Sequence, residues 1–177
     1  MKKRFIKNSN FSGFMLVELA VSMLIIGIIS AIVLVNYNAG RRQEALNRSA
    51  QRLAVAIRQA QNYALFSRVG VKCSTPAGGY GVYIESVSQY IIFGDCNSNR
   101  IYNLGDDIVS AINVESGVQI LGDPPINMTF EPPIGKFYYN YNGSLSSASH
   151  TITLQNSSDH TKQKTITISA NGSVSVQ

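Results

Sequence analysis

The sequence predicts an α+β protein, in which one long N-terminal helix, first transmembrane and then amphipathic, packs on an antiparallel β-sheet domain. Three observations predict it. Residues 14–35 are an apolar run with one charge, residues 36–68 keep a helical period, and from residue 69 the period falls to two with frequent turn signals.

The apolar run reads FMLVELAVSMLIIGIISAIVLV. A helix of that length spans about 33 Å, enough to cross the hydrocarbon core of a bilayer. It is too long for the apolar core of an ordinary secretory signal, and no Ala-x-Ala site follows it. Residues 1–13 carry Lys2, Lys3, Arg4 and Lys7. Such a cluster holds its end of a span in the cytoplasm and sends the C-terminal domain to the far side.

Glu18 is the one charge within the span, which holds no Lys, Arg or His. A carboxylate there costs about 3 kcal/mol on insertion scales, so it ordinarily has a partner. A cut after Gly13 would place a new amine, that of Phe14, one helical turn from Glu18. The alternatives are that Glu18 reaches the interface or is protonated.

Beyond the span, Leu46, Ala50, Leu53, Ile57, Ala60 and Ala64 recur at steps of four and three. They form one apolar stripe. A coiled-coil seam would give such spacing, but the alanines suit close packing on a sheet better. Arg41, Arg42, Arg48, Arg52, Arg58 and Arg68 decorate other faces. No Pro occurs before Pro76, so the helix is expected to be continuous.

From residue 69 the segments GYGVYIES (79–86) and SQYIIFG (88–94) read as a hairpin pair. DIVSAINVES, VQILG, INMTF, FYYNY, HTITLQN, QKTITIS and SVSVQ follow as further strands, with Asn142-Gly143 and Asn171-Gly172 as turns. The expected organisation is a leader (1–13), a transmembrane helix (14–35), an amphipathic helix (36–68) and a β domain (69–177).

The formal charge of +5 does not point to nucleic acid. Four of the cations precede the span, and after residue 69 five basic residues face eight acidic ones. A phosphate-binding face needs clustered Lys and Arg, which occur only on the helix of residues 41–68.

The stretch Gly13-Phe14-Met15-Leu16-Val17-Glu18 resembles the processing site of type IV prepilins and type II secretion pseudopilins. It departs from their pattern at Met15, where Thr or Ser is usual. The resemblance implies cleavage between Gly13 and Phe14 by a prepilin peptidase, N-methylation of Phe14, and a role for Glu18 in assembly. It implies as partners other pilins or pseudopilins and an inner-membrane assembly platform. The place would be the bacterial inner membrane with a periplasmic β domain, and then a pilus or pseudopilus. Three later segments are similar to the minor-pseudopilin group typified by GspH and FimT. They are Phe93-Gly94-Asp95, Phe130-Glu131-Pro132-Pro133-Ile134-Gly135 and Ile168-Ser169-Ala170-Asn171-Gly172. That likeness implies a low-copy structural subunit, not an enzyme, that primes or caps a fibre. The alternative is a minor pilin whose β domain binds DNA or a surface ligand. Some relatives bind DNA through a basic C-terminal segment, whereas this chain has no Lys or Arg after Lys164.

Other candidate sites are local. Cys73 and Cys96 are expected to pair as a disulfide outside the cytoplasm, the alternative being two buried thiols. Asp95, Asn97, Asn99 and Asp106 occupy the first, third, fifth and twelfth positions of an EF-hand-like loop. This makes calcium the one candidate cofactor, against a plain solvated loop, and Arg100 replaces the usual turn glycine. Tyr138, Tyr139 and Tyr141 read as a strand face more readily than as a stacking platform. His150, His160 and Asp159 sit in no catalytic motif.

Overall fold

The computed structural model describes residues 16–73 and 78–177. The chain divides between Gly40 and Arg41 into two compact units. The helix α1 (Leu16–Leu65) supplies the first unit and the opening element of the second. In the first unit its apolar residues are exposed on every side, from Leu16 to Val33.

In the second unit the predicted stripe is the centre of the core. Leu46, Ala50, Leu53, Ile57, Ala60 and Ala64 are all buried. Ala54 and Ala56 widen the stripe. The helix ends at Leu65, three residues before the expected limit. Ser67 takes a left-handed conformation (φ 46°). The Arg68 N–H donates to the Tyr63 carbonyl and the Ser67 N–H to that of Ala64. This is a Schellman cap with Ser where Gly is usual, so no glycine marks the helix end.

Ten strands follow: β1 (Gly79–Ser86), β2 (Gln89–Asp95), β3 (Asp107–Asn113), β4 (Val118–Leu121), β5 (Ile126–Glu131), β6 (Lys136–Tyr141), β7 (Ser144–Ser146), β8 (His150–Asn156), β9 (Gln163–Ile168) and β10 (Val174–Val176). They form two antiparallel sheets, ordered β3-β2-β1-β5-β6-β7 and β10-β9-β8-β4. The expected strands are present. The short β7 is additional, paired to β6 across the Asn142-Gly143 turn, where both residues have positive φ.

Both sheets and α1 share one core. Tyr80, Val82, Ile84, Met128 and Phe130 come from the larger sheet, and Ile152, Leu154, Ile166 and Ile168 from the smaller. Arg58 reaches from α1 to the Val174 carbonyl (2.9 Å), tying β10 to the helix. Glycine is required at Gly81, where a Cβ would strike the Met128 carbonyl and the Phe93 ring.

The central strands β1 and β5 are buried in continuous runs, Gly79–Val82 and Ile126–Phe130, not on alternate residues. The reason is the loop after β2. Tyr102 stacks on Tyr83 (4.7 Å between centroids) and meets Phe93 edge-on. The Tyr102 N–H is bound by Asn127 (2.8 Å), and Thr129 donates to the Arg100 carbonyl (3.2 Å).

A cleft of about 260 Å³ lies between the sheets, lined by Asp123, Tyr139, Tyr141 and His150 among others. His150 stacks on Tyr139 at 4.3 Å, and burial holds its imidazole below the ordinary value of 6.5. The folded state therefore binds a proton less readily than the unfolded chain. Stability from the neutral ring is complete above pH 6.5 and is lost as pH falls below it. Denaturant titrations between pH 8 and pH 5 are expected to show this loss. His150→Phe, which keeps a ring but cannot titrate, should flatten the profile in that interval.

Candidate functional site

The span and the β domain each present candidate groups. Among the described residues one helix, Leu16–Val33, is long and apolar enough to cross a membrane. Glu18 lies in its first described turn. The Ser22 hydroxyl donates back to the Glu18 main-chain carbonyl (2.8 Å). The carboxylate is exposed and joins none of the ion pairs among the described residues. Gly13 and Phe14, the expected processing site, lie outside the described residues.

In the β domain Cys73 and Cys96 are joined as a disulfide, with their Cα atoms 5.2 Å apart. The bridge closes a loop of sequence separation 23. Beside it the buried Asp107 accepts the Val71 N–H (2.8 Å), so the segment after α1 is tied to the end of β2 by the disulfide and to the start of β3 by this bond.

Asp95, Asn97, Asn99 and Asp106 are brought into one loop, but their oxygens are directed at N–H groups. Asp95 accepts from Asn97 and Asn99 (both 3.2 Å) and from Arg100 (2.7 Å). Asn97 accepts from Asn99 (3.1 Å), and Asn99 from Ile101 (2.8 Å). Asp106 accepts from Cys96 (3.0 Å) and Asn103 (2.6 Å). Ser98 and Arg100, at φ 61° and 64°, curl the backbone so that its donors converge on Asp95. Such a nest holds an anion, here the protein's own carboxylate. Burial pushes the Asp95 carboxyl above its ordinary value, against the pull of the N–H bonds.

Arg100 has turned away from the loop. Its guanidinium pairs with Glu131 (2.9 Å) and lies 4.2 Å over the Tyr138 ring. The three tyrosines of β6 therefore serve separate contacts: Tyr138 carries Arg100, Tyr139 carries His150, and Tyr141 donates to Asp123 (3.1 Å). Asp159 accepts from Thr161 and has no hydrogen bond to His150 among the described residues.

Sequence reasoning missed one group. Tyr90 is almost wholly buried, and its hydroxyl lacks a hydrogen-bond partner among the described residues. Leaving such a group unsatisfied costs about 1–3 kcal/mol. Burial raises its pKa to about 12, so it stays a donor at any physiological pH. In an alternating strand Tyr90 looks like an ordinary core aromatic, so no sequence signal marks it.

The three segments similar to minor pseudopilins meet the core at defined places. Gly94 packs on the Tyr80 ring, Gly135 on Leu65, and Gly172 on Gln61. Gly135 and Gly172 have positive φ and close the turns that bring the sheets against the last turns of α1. A protein-family model described as "Type II transport protein GspH" matches residues 49–172, a stretch that includes all three segments. No curated protein and no solved structure matches the chain.

Because the loop oxygens already hold N–H groups, calcium is expected to leave its stability unchanged. Thermal melts in millimolar calcium and in chelator should coincide. A rise of several degrees with calcium would show that the loop rearranges into a cation site.

Proposed function

The chain belongs to the GspH family, which makes it a minor pseudopilin of type II secretion, and on that premise we propose that it is a membrane-anchored structural subunit that primes or caps the pseudopilus. The leader holds the chain in the inner membrane until a prepilin peptidase cuts between Gly13 and Phe14 and methylates the new terminus. The apolar helix then leaves the bilayer to pack against the helices of other pseudopilins on the assembly platform. Glu18 pairs with a neighbouring subunit's terminal amine and sets the axial register. The β domain faces the periplasm, and the protein performs no catalysis.

The observation that carries this reading is the exposed apolar helix with one carboxylate in it. An apolar surface on all sides suits lipid before assembly and neighbouring helices afterwards. The carboxylate is costly in either place unless a cation meets it, and the amine released at Phe14 is a cation of the right reach. A DNA-binding role is not favoured, since the basic residues of the β domain are few and dispersed.

The test separates processing from assembly. Glu18→Gln is expected to be cut like the wild type and to remain in the inner membrane. Its recovery in sheared or overexpressed pseudopili should fall at least tenfold, as judged by immunoblot of fibre and membrane fractions. Normal recovery of the variant in fibres would remove Glu18 from the register-setting role.

A further inference from the structure

The tripeptide Asn-Gly-Ser occurs twice in the chain, at residues 142–144 and 171–173. An Asn-Gly bond carries a reaction of its own. The glycine nitrogen can attack the asparagine side-chain carbonyl carbon, because no Cβ on the glycine stands in the way. The local sequence at the two bonds is the same, so a difference in their reactivity comes from the fold.

At residues 171–173 both reacting groups are occupied. The Gly172 N–H donates to the Ser169 carbonyl (2.8 Å), and the Asn171 Oδ1 accepts the Ser173 N–H (3.1 Å). The Ser169 N–H donates to the Ser173 carbonyl (2.9 Å), and the two serine hydroxyls meet at 2.9 Å. Gly172 is buried and backs onto Gln61 of α1. Rearranging this turn means breaking those bonds and leaving the helix.

The turn at residues 142–144 is open. Asn142 and Gly143 are both exposed, and among the described residues the Gly143 N–H has no hydrogen-bond acceptor. A Cβ at Gly143 would meet nothing within 4 Å. The turn leads into β7, which pairs with β6 at three positions and is the outermost strand of its sheet. Short outermost strands open locally at low cost, and such opening lets the asparagine side chain reach the next nitrogen.

We propose that Asn142 is a site of spontaneous deamidation, and that the fold shields Asn171, in the same tripeptide, from that reaction. The Gly143 nitrogen gives its proton to water and bonds to the Asn142 Cγ. The Cγ–Nδ2 bond breaks and ammonia leaves. Water then opens the cyclic imide at either carbonyl, giving aspartate or isoaspartate, with no oxidation or reduction. The product changes its surroundings. The Asn142 amide lies on the Tyr141 hydroxyl, which donates to Asp123 on the cleft between the sheets. A carboxylate in its place cannot donate there and adds a second negative charge near Asp123. Isoaspartate also lengthens the backbone of a two-residue turn, and turn length fixes the register of a hairpin. The modification is independent of how the subunit assembles.

The test incubates the full chain, purified in detergent, at pH 8 in oxygen-18 water and follows label entry at both asparagines by peptide mapping. A parallel sample is held unfolded in denaturant with its disulfide reduced. In the folded chain Asn142 is expected to deamidate at least about tenfold faster than Asn171, and in the unfolded chain the two rates should agree within about threefold. Equal rates in the folded chain, or an Asn142 as inert there as Asn171, would overturn the proposal. So would a preference for Asn142 that persists in the unfolded chain, because the fold would then not be its cause.

Discussion

The close approach of α1 to two sheets at once is the constraint on which the β domain depends. Ala50, Ala54, Ala56, Ala60 and Ala64 leave the backbone of the helix near the strands, while Leu46, Leu53 and Ile57 fill the space between. Interiors are close-packed, so small residues at these positions set the separation of the layers and larger ones would force the sheets away. The turns at Gly135 and Gly172 exist within the same constraint: a Cβ at either would press on Leu65 or Gln61. Polar ties then fix what the apolar contact brings together. Arg58 holds β10, and Ser49 accepts the Glu115 N–H between β3 and β4 (3.0 Å). The exposed ion pairs of Arg48 and Arg52 with Glu115 are worth under about 1 kcal/mol each and add little beside this packing.

Much of this fold was legible because its periods are clean. The helical stripe gave the buried face of α1 residue by residue, and alternation with Asn-Gly turns gave the strands. Burial of both faces of β1 and β5 was not legible, because it comes from a loop distant in sequence that lays Tyr102 over Tyr83. The helix end was misplaced because Ser67 adopts a conformation that local sequence assigns to glycine or asparagine. At Asp95, Asn97, Asn99 and Asp106 the spacing is that of a cation loop. Spacing alone cannot distinguish oxygens converging on an ion from oxygens each capping a nearby N–H, and here the second pattern is the one formed.

The two parts of α1 meet different demands with related chemistry. From Leu46 to Ala64 a single apolar face is satisfied within the chain. From Leu16 to Val33 apolar residues cover the whole circumference, and none of that surface is buried by the protein itself. Lipid or other helices must cover it, and helices in that setting associate through packing and polar pairing, since hydrophobicity gives no preference for protein over lipid. In the proposed assembly, Glu18 is the group that would distinguish one register of neighbouring helices from another.

That account depends on an amine created at Phe14. The mass of the N-terminal peptide, taken from protein extracted from its native membrane, tests it most directly. The account predicts a chain that begins at N-methylated Phe14. An intact Met1 terminus in cells with an active prepilin peptidase would contradict it, leaving Glu18 without its cation and the helix as a plain membrane anchor.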